Sequence, residues 1–142
     1  MTELRWNSDF KSSITLDRPV LAVAFKGLFD ASGAATSALE WLSSYFSFIK
    51  LGEIDPETFF DFTQERPTVL FDENGERELR WPANEINAIK TPEGQRDLVV
   101  IAGVEPHLRW KTFSAALTEV AHEVQAETVT TLGSMVGMIP HT

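Results

Sequence analysis

The spacing of apolar positions changes along the chain, and each change marks an element. Residues 20–25, Val-Leu-Ala-Val-Ala-Phe, follow Pro19 as an unbroken apolar run, and residues 97–103 carry a second such run. Runs this short, bounded by turn residues, predict strands buried on both faces. Between them the period lengthens to three and four: Ala31, Ala34, Ala35, Ala38, Leu39, Leu42, Tyr45, Phe46 and Ile49 line one side of a helix. Asp30 stands where a carboxylate would cap the first free N–H groups of that helix and suit its dipole. A second helix is predicted over residues 107–124, with Phe113, Ala116, Leu117, Val120, Ala121 and Val124 facing inward.

Three further strands are predicted at 49–54, 86–89 and 128–132. Residues 68–72 and 76–81 flank Asn74-Gly75, a dipeptide suited to the positive φ of a tight hairpin turn. Asp55-Pro56-Glu57 reads as a turn or short helical start ahead of Phe59, Phe60 and Phe62, aromatics that with Trp81 and Trp110 suit a core or an interface. Residues 1–18 are weakly patterned and are expected to be an extended lead-in, with 19–142 as one domain. Helices linking apolar strands predict an α/β fold: a mainly parallel sheet flanked by helices, with the antiparallel hairpin at an edge.

Charge narrows the partners. Twenty-one acidic residues against twelve Lys and Arg give a net charge of −9, which opposes approach to nucleic acid and to anionic membrane surfaces. Cysteine is absent, which removes disulfides, thiolate catalysis and cysteine metal sites and suits a cytoplasmic location. The opening residues lack the apolar stretch of a secretory signal, and no apolar run is long enough to span a bilayer.

In a parallel α/β sheet, ligands gather at the carboxyl ends of the strands, which directs attention to three loops. The first holds Gly27, Asp30 and Ser32, where glycine allows a turn and the polar pair suits helix capping. The second holds Glu105, His107 and Arg109; a histidine beside a carboxylate suits proton transfer, while Glu105-Pro106 equally suits a helix start. The third holds Gly133, Ser134 and His141. None matches a dinucleotide, Walker or nucleophile-elbow pattern. His107, His122 and His141 have no metal-ligand spacing, and no metal or cofactor is expected.

Taken in order, several short segments form a wider pattern. They are Gly27…Asp30-Ala31 with Gly33-Ala34-Ala35, Glu53-Ile-Asp-Pro56 through Phe59-Phe60-Asp61-Phe62, Arg66-Pro67-Thr68, Trp81-Pro82…Asn84, Gly103…Glu105-Pro106…Leu108-Arg109-Trp110…Phe113, Thr131-Leu132-Gly133 and Pro140-His141-Thr142. This set resembles the bacterial, and particularly the actinobacterial, branch of the proteasome assembly chaperone 2 family. The resemblance implies a fold of the nucleoside phosphorylase type, self-association and a chaperone-like, non-enzymatic interaction role. Relatives outside bacteria assist proteasome assembly, some through a hydrophobic-Tyr-any-residue tail; this chain ends in Pro140-His141-Thr142 instead. Bacterial members usually run past that segment, so either a continuation or another subunit is expected to complete the sheet cover. The expected partners are therefore further copies of the chain and another protein. The alternative is a phosphorylase- or hydrolase-type enzyme, or a ligand sensor, taking a small molecule at the strand ends.

Overall fold

The computed structural model describes residues 3–8 and 10–140. Two apolar runs form the centre of a six-stranded sheet: β2 (Val20–Lys26) and β7 (Leu98–Val104) pair in parallel from Val20↔Leu98 to Lys26↔Val104. β8 (Thr128–Thr131) lies parallel on the other side of β2. Beyond β7 the sheet continues antiparallel through β6 (Asn84–Ile89), β3 (Phe48–Ile54) and β1 (Leu4–Trp6), in the order β1-β3-β6-β7-β2-β8.

The mainly parallel sheet expected from the sequence is thus corrected to a mixed one, in which three of five pairings are antiparallel. The reason is the insertion of β6. β2, β3, β7 and β8 all run the same way, as helix-linked strands should, but β6 enters between β3 and β7 in the opposite sense and turns both of its contacts antiparallel. The stretch before Pro19 also differs from an extended lead-in. It supplies the edge strand β1 and a helical turn, α1 (Phe10–Ser13), and buries Leu4 and Phe10.

Alternation along the central strands divides the core in two. Leu21, Val23, Val99 and Ile101 face one side, where α4 (Trp110–Glu123) lays down Phe113, Ala116 and Val120 and the short helix α3 (Pro56–Phe59) adds Phe59. Ala22, Ala24 and Val100 face the other, against Ala35 and Leu39 of α2 (Ala34–Tyr45). Small strand residues let α2 sit close. On that second side β3 and β6 carry the polar residues Lys50, Glu53, Glu85 and Asn87. Lys50 Nζ bonds both Glu53 and Glu85 at 2.9 Å; burial disfavours its charge, but the two carboxylates hold its pKa above the ordinary lysine value. The hairpin of β4 (Thr68–Phe71) and β5 (Arg77–Arg80) forms a separate two-stranded sheet, turned by Gly75 at φ 78°.

Candidate functional site

Asp30 is the best-anchored of the expected site residues. A turn of 3-10 helix at Ala31–Gly33 precedes α2, so Asp30 reaches past it: one carboxylate oxygen accepts from the N–H groups of Ala35 (2.8 Å) and Thr36 (3.1 Å), and the other from the Thr36 hydroxyl (2.6 Å). The Thr36 hydroxyl is the main cause of a lowered Asp30 pKa; burial opposes it and the two backbone donors reinforce it. Asp30 is therefore the cap that the sequence predicts, acting five and six residues ahead. Ser32, in left-handed backbone at φ 57°, makes none of these bonds and is exposed.

The three expected loops meet in part. Glu105 N–H donates to the Lys26 carbonyl at 3.0 Å, and the Glu105 carboxylate accepts from Leu28 N–H at 3.4 Å. A Cβ at Gly27 would overlap that carboxylate, so glycine is what lets the two loops close on each other. On the other flank Asp30 and Ser134 form a parallel bridge: Ser134 N–H donates to Phe29 (2.7 Å), Ala31 N–H to Ser134 (3.2 Å), and the Ser134 hydroxyl to the Ala31 carbonyl (3.0 Å). Gly133 lies against this bridge, with the Phe29 carbonyl 3.2 Å from where its Cβ would be.

The rest of the second loop turns elsewhere. His107 Nδ1 accepts from Asp61 N–H at 3.1 Å, and the backbone N–H of His107 donates to the Phe59 carbonyl at 3.0 Å. Asp61 is in turn held by Thr63 and Gln64, with the Thr63 hydroxyl the leading cause of a pKa lowered to about 2. Arg109 stands at the start of α4 in left-handed backbone and reaches Glu3 at 3.3 Å. His107 and Arg109 thus clamp the α3 region and the N-terminal strand, and share no site with Asp30 or Ser134. His141 lies outside the described residues. Among the described residues no cluster of His, Asp or Glu is placed to hold a metal ion.

One groove lies where the sequence did not point. It is open, about 690 Å³ in volume, on the α2 side of the sheet, and is lined by Asn87, Val100 and Ala102 of the sheet, by Glu40 of α2, and by Arg80 of β5 with Trp81 just after it. Arg66 and Arg80 on its rim form no ion pair among the described residues, and the Asn87 Oδ1 atom is buried without a hydrogen-bond partner. The signal available was the polar run Asn84-Glu85-Ile86-Asn87 in a strand whose even and odd positions face different layers. A second missed residue is Asn84, whose buried side-chain amide pairs with both backbone groups of Val104, at 2.8 and 3.0 Å, where the regular β6 to β7 ladder has ended.

Comparison with known proteins gives one consistent result. The sequence model of the PAC2 family matches residues 24–142. A PAC2 family protein from Streptomyces avermitilis superposes with a TM-score of 0.80 at 36% identity, over 87% of this chain and 52% of that one. A Mycobacterium tuberculosis proteasome-assembly chaperone homologue gives 0.78, also at 36% identity and the same two coverages. A Corynebacterium glutamicum protein of unknown function, at 20% identity and a TM-score of 0.84 over 99% of this chain and 53% of that one, shares the fold. The chain therefore spans about half the length of these solved relatives. No curated protein matches it.

Proposed function

The chain belongs to the PAC2 family, and from that premise we propose that it is a non-enzymatic, chaperone-like interaction protein that self-associates and helps other subunits assemble in the cytoplasm. The observation that carries the reading is how the polar side chains at the strand ends are used. Asp30, Glu105, His107 and Ser134 are all engaged in holding backbone, and none is paired as nucleophile and base. Large apolar side chains, meanwhile, stand in solvent: Trp41, Tyr45, Phe71, Trp110 and Met138 are each more than half exposed. No helix among the described residues is long and apolar enough to cross a membrane.

The test begins with a client suggested by the mycobacterial homologue. Purified proteasome subunits from the same cell are mixed with and without the chain, and assembly is followed on native gels. Faster or more complete assembly is expected. Unchanged assembly together with turnover of a nucleoside or ester would overturn the proposal.

A second reading has one specific observation behind it. The groove holds a buried amide oxygen without a hydrogen-bond partner and two arginines that form no ion pair among the described residues, a set able to accept from and donate to a small polar anion. With the nucleoside phosphorylase type of fold that the resemblance implies, this favours a ligand sensor or a phosphorylase-like enzyme. Thermal-shift screening of nucleosides, phosphate and small esters, with Arg80→Ala, Glu105→Gln and His107→Ala as controls, distinguishes the groove from the strand-end loops. The absence of any stabilising compound removes this reading.

A further inference from the structure

The two central strands send their helices to opposite faces of the sheet. The chain passes from β2 into α2 on one face and from β7 into α4 on the other; α2 then leads to β3 and α4 to β8, toward opposite ends of the strand order. Adjacent parallel strands whose connections part in this way open a crevice beyond their carboxyl ends, the usual place for a ligand in an open α/β sheet. Lys26 and Val104 are the last residues of β2 and β7, and both line the open groove on the α2 side. The groove therefore sits at the switch point of this sheet. Its sheet side chains Val100 and Ala102 are small, and its volume of about 690 Å³ is that of a site for a small organic molecule.

We propose that the groove binds a nucleoside monophosphate, with the phosphate on Arg66 and Arg80, the base on Trp81, and the donor groups of base and ribose turned toward Glu40 and Asn87. The charges select the anion. Arg80 pairs across the hairpin with Thr68, so Arg66, two residues before Thr68, stands at the same end of it. Both arginines are exposed, and neither forms an ion pair among the described residues. Lys26, by contrast, is engaged by Glu65 at 3.2 Å. Two unmatched guanidinium charges fit one phosphate monoester, which carries about −1.5 to −2 at neutral pH and takes forked N–H donors. A carboxylate would answer only one of them.

Away from the arginines the groove accepts rather than donates. Glu40 stands on the α2 wall, Glu85 shares Lys50 with Glu53, and Asn87 Oδ1 has no hydrogen-bond partner. Such acceptors call for hydroxyl and N–H groups on the ligand, which ribose and base carry. Trp81 is half exposed and held against Phe62 at 5.0 Å and 74°, an anchored ring on which a base can stack. Net charge sets the upper limit. On a chain of −9, each additional phosphate adds repulsion and meets no further unpaired cation among the described residues that line the groove.

The inference rests on the ligand-binding reading above and adds the class of ligand and its orientation. Isothermal titration calorimetry with adenosine monophosphate, uridine monophosphate, adenosine, adenosine triphosphate and inorganic phosphate tests it. Both monophosphates are expected to bind, with adenosine and phosphate each weaker by about tenfold or more, and the triphosphate weaker than the monophosphate. Arg66→Ala and Arg80→Ala should each weaken adenosine monophosphate by about tenfold, as loss of a charged hydrogen bond does. Trp81→Ala should weaken adenosine and its monophosphate in the same proportion. Both arginines are exposed and lie outside the core, so the melting temperature of their variants should stay that of the wild type. Adenosine binding as tightly as its monophosphate, or monophosphate binding that ignores both arginine substitutions, overturns the phosphate assignment and leaves the ligand reading standing. Inorganic phosphate or the triphosphate binding more tightly than the monophosphate overturns the class of ligand. Absence of monophosphate binding at about 1 mM overturns it too; if no compound in the wider thermal-shift screen stabilises the chain, the ligand reading falls with it.

Discussion

Replacing Asp97 by Asn is expected to unfasten the lower end of the sheet. The carboxylate is almost fully buried. One oxygen accepts from Asp17 N–H at 2.7 Å and from the Lys90 ammonium, and the other accepts from Thr91 N–H at 2.9 Å and from the Thr91 hydroxyl at 3.3 Å. Backbone bonds from Asp97 N–H to the Asp17 carbonyl and from Val20 N–H to the Asp97 carbonyl complete the knot, so one residue ties the approach to β2, the exit of β6 and the start of β7. An amide keeps one acceptor oxygen and sets an NH₂ group against donors on the other side. Hydrogen bonds to a charged group contribute about 1.5–3 kcal/mol each. With the half-exposed Lys90 discounted for screening, the loss is about 3 kcal/mol. At about 2.1 cal/mol/K of unfolding entropy per residue, that is a fall in Tm of about 10 °C.

The pH dependence follows from the sign of the shift. Burial alone would raise the Asp97 pKa, but the Asp17 N–H, the Lys90 ammonium and the Thr91 N–H together lower it. A depressed carboxyl pKa stabilises the fold above the unfolded value, about 3.9, and the contribution disappears as pH falls through the folded value. Urea titrations of wild type and Asp97→Asn at pH 7, 5, 4 and 3 should therefore converge toward the acid end. A gap that stays constant down to pH 3, or a Tm loss under about 2 °C at pH 7, would refute this account of the clasp.

Three other outcomes follow from the structure. A carboxyl-detected NMR titration of Asp61 should show a midpoint near 2, because the Thr63 hydroxyl holds its charged form, and Thr63→Val should raise that midpoint. Gly103→Ala should cost about 2 kcal/mol in chemical denaturation, since the new Cβ overlaps the buried Asn84 amide and frees two Val104 backbone groups; with Asn84→Ala already present, the added cost should shrink. Leu39→Ala, at a 2% exposed position, should lower stability by about 3 kcal/mol, against under about 0.5 kcal/mol for Ser37→Ala on the exposed side of the same helix.

The sequence resolved the elements better than their assembly. The apolar runs around residues 20 and 98, the Asn74-Gly75 hairpin and the α4 face at Phe113, Ala116 and Val120 are found as the pattern predicts, because each is set by local periodicity and turn chemistry. The sense of β6 was not legible. A six-residue strand reads the same in either direction, and its place between β3 and β7 depends on partners far away in the chain. The site divided along similar lines. Asp30 acts as the cap its position suggests, since capping is local, whereas His107 and Glu105 sit two residues apart and serve opposite sides of the loop. The α2 spacing was read as one apolar face, yet only part of it is covered: Ala34, Ala38 and Tyr45 lie about 100° round the helix from Ala35 and Leu39 and are exposed.

The parallel pairing of β2 with β7 also sets a timetable. Val20 cannot meet Leu98 until every element between them has been made, and the antiparallel neighbours β3 and β6 must already leave room for that encounter. Chains dominated by contacts of such long sequence separation collapse and search slowly, on the order of milliseconds to seconds. During synthesis β2 would emerge with neither of its strand neighbours and wait for β7 and β8 to arrive. A protein proposed to assist assembly would itself pass through an interval in which it needs shielding.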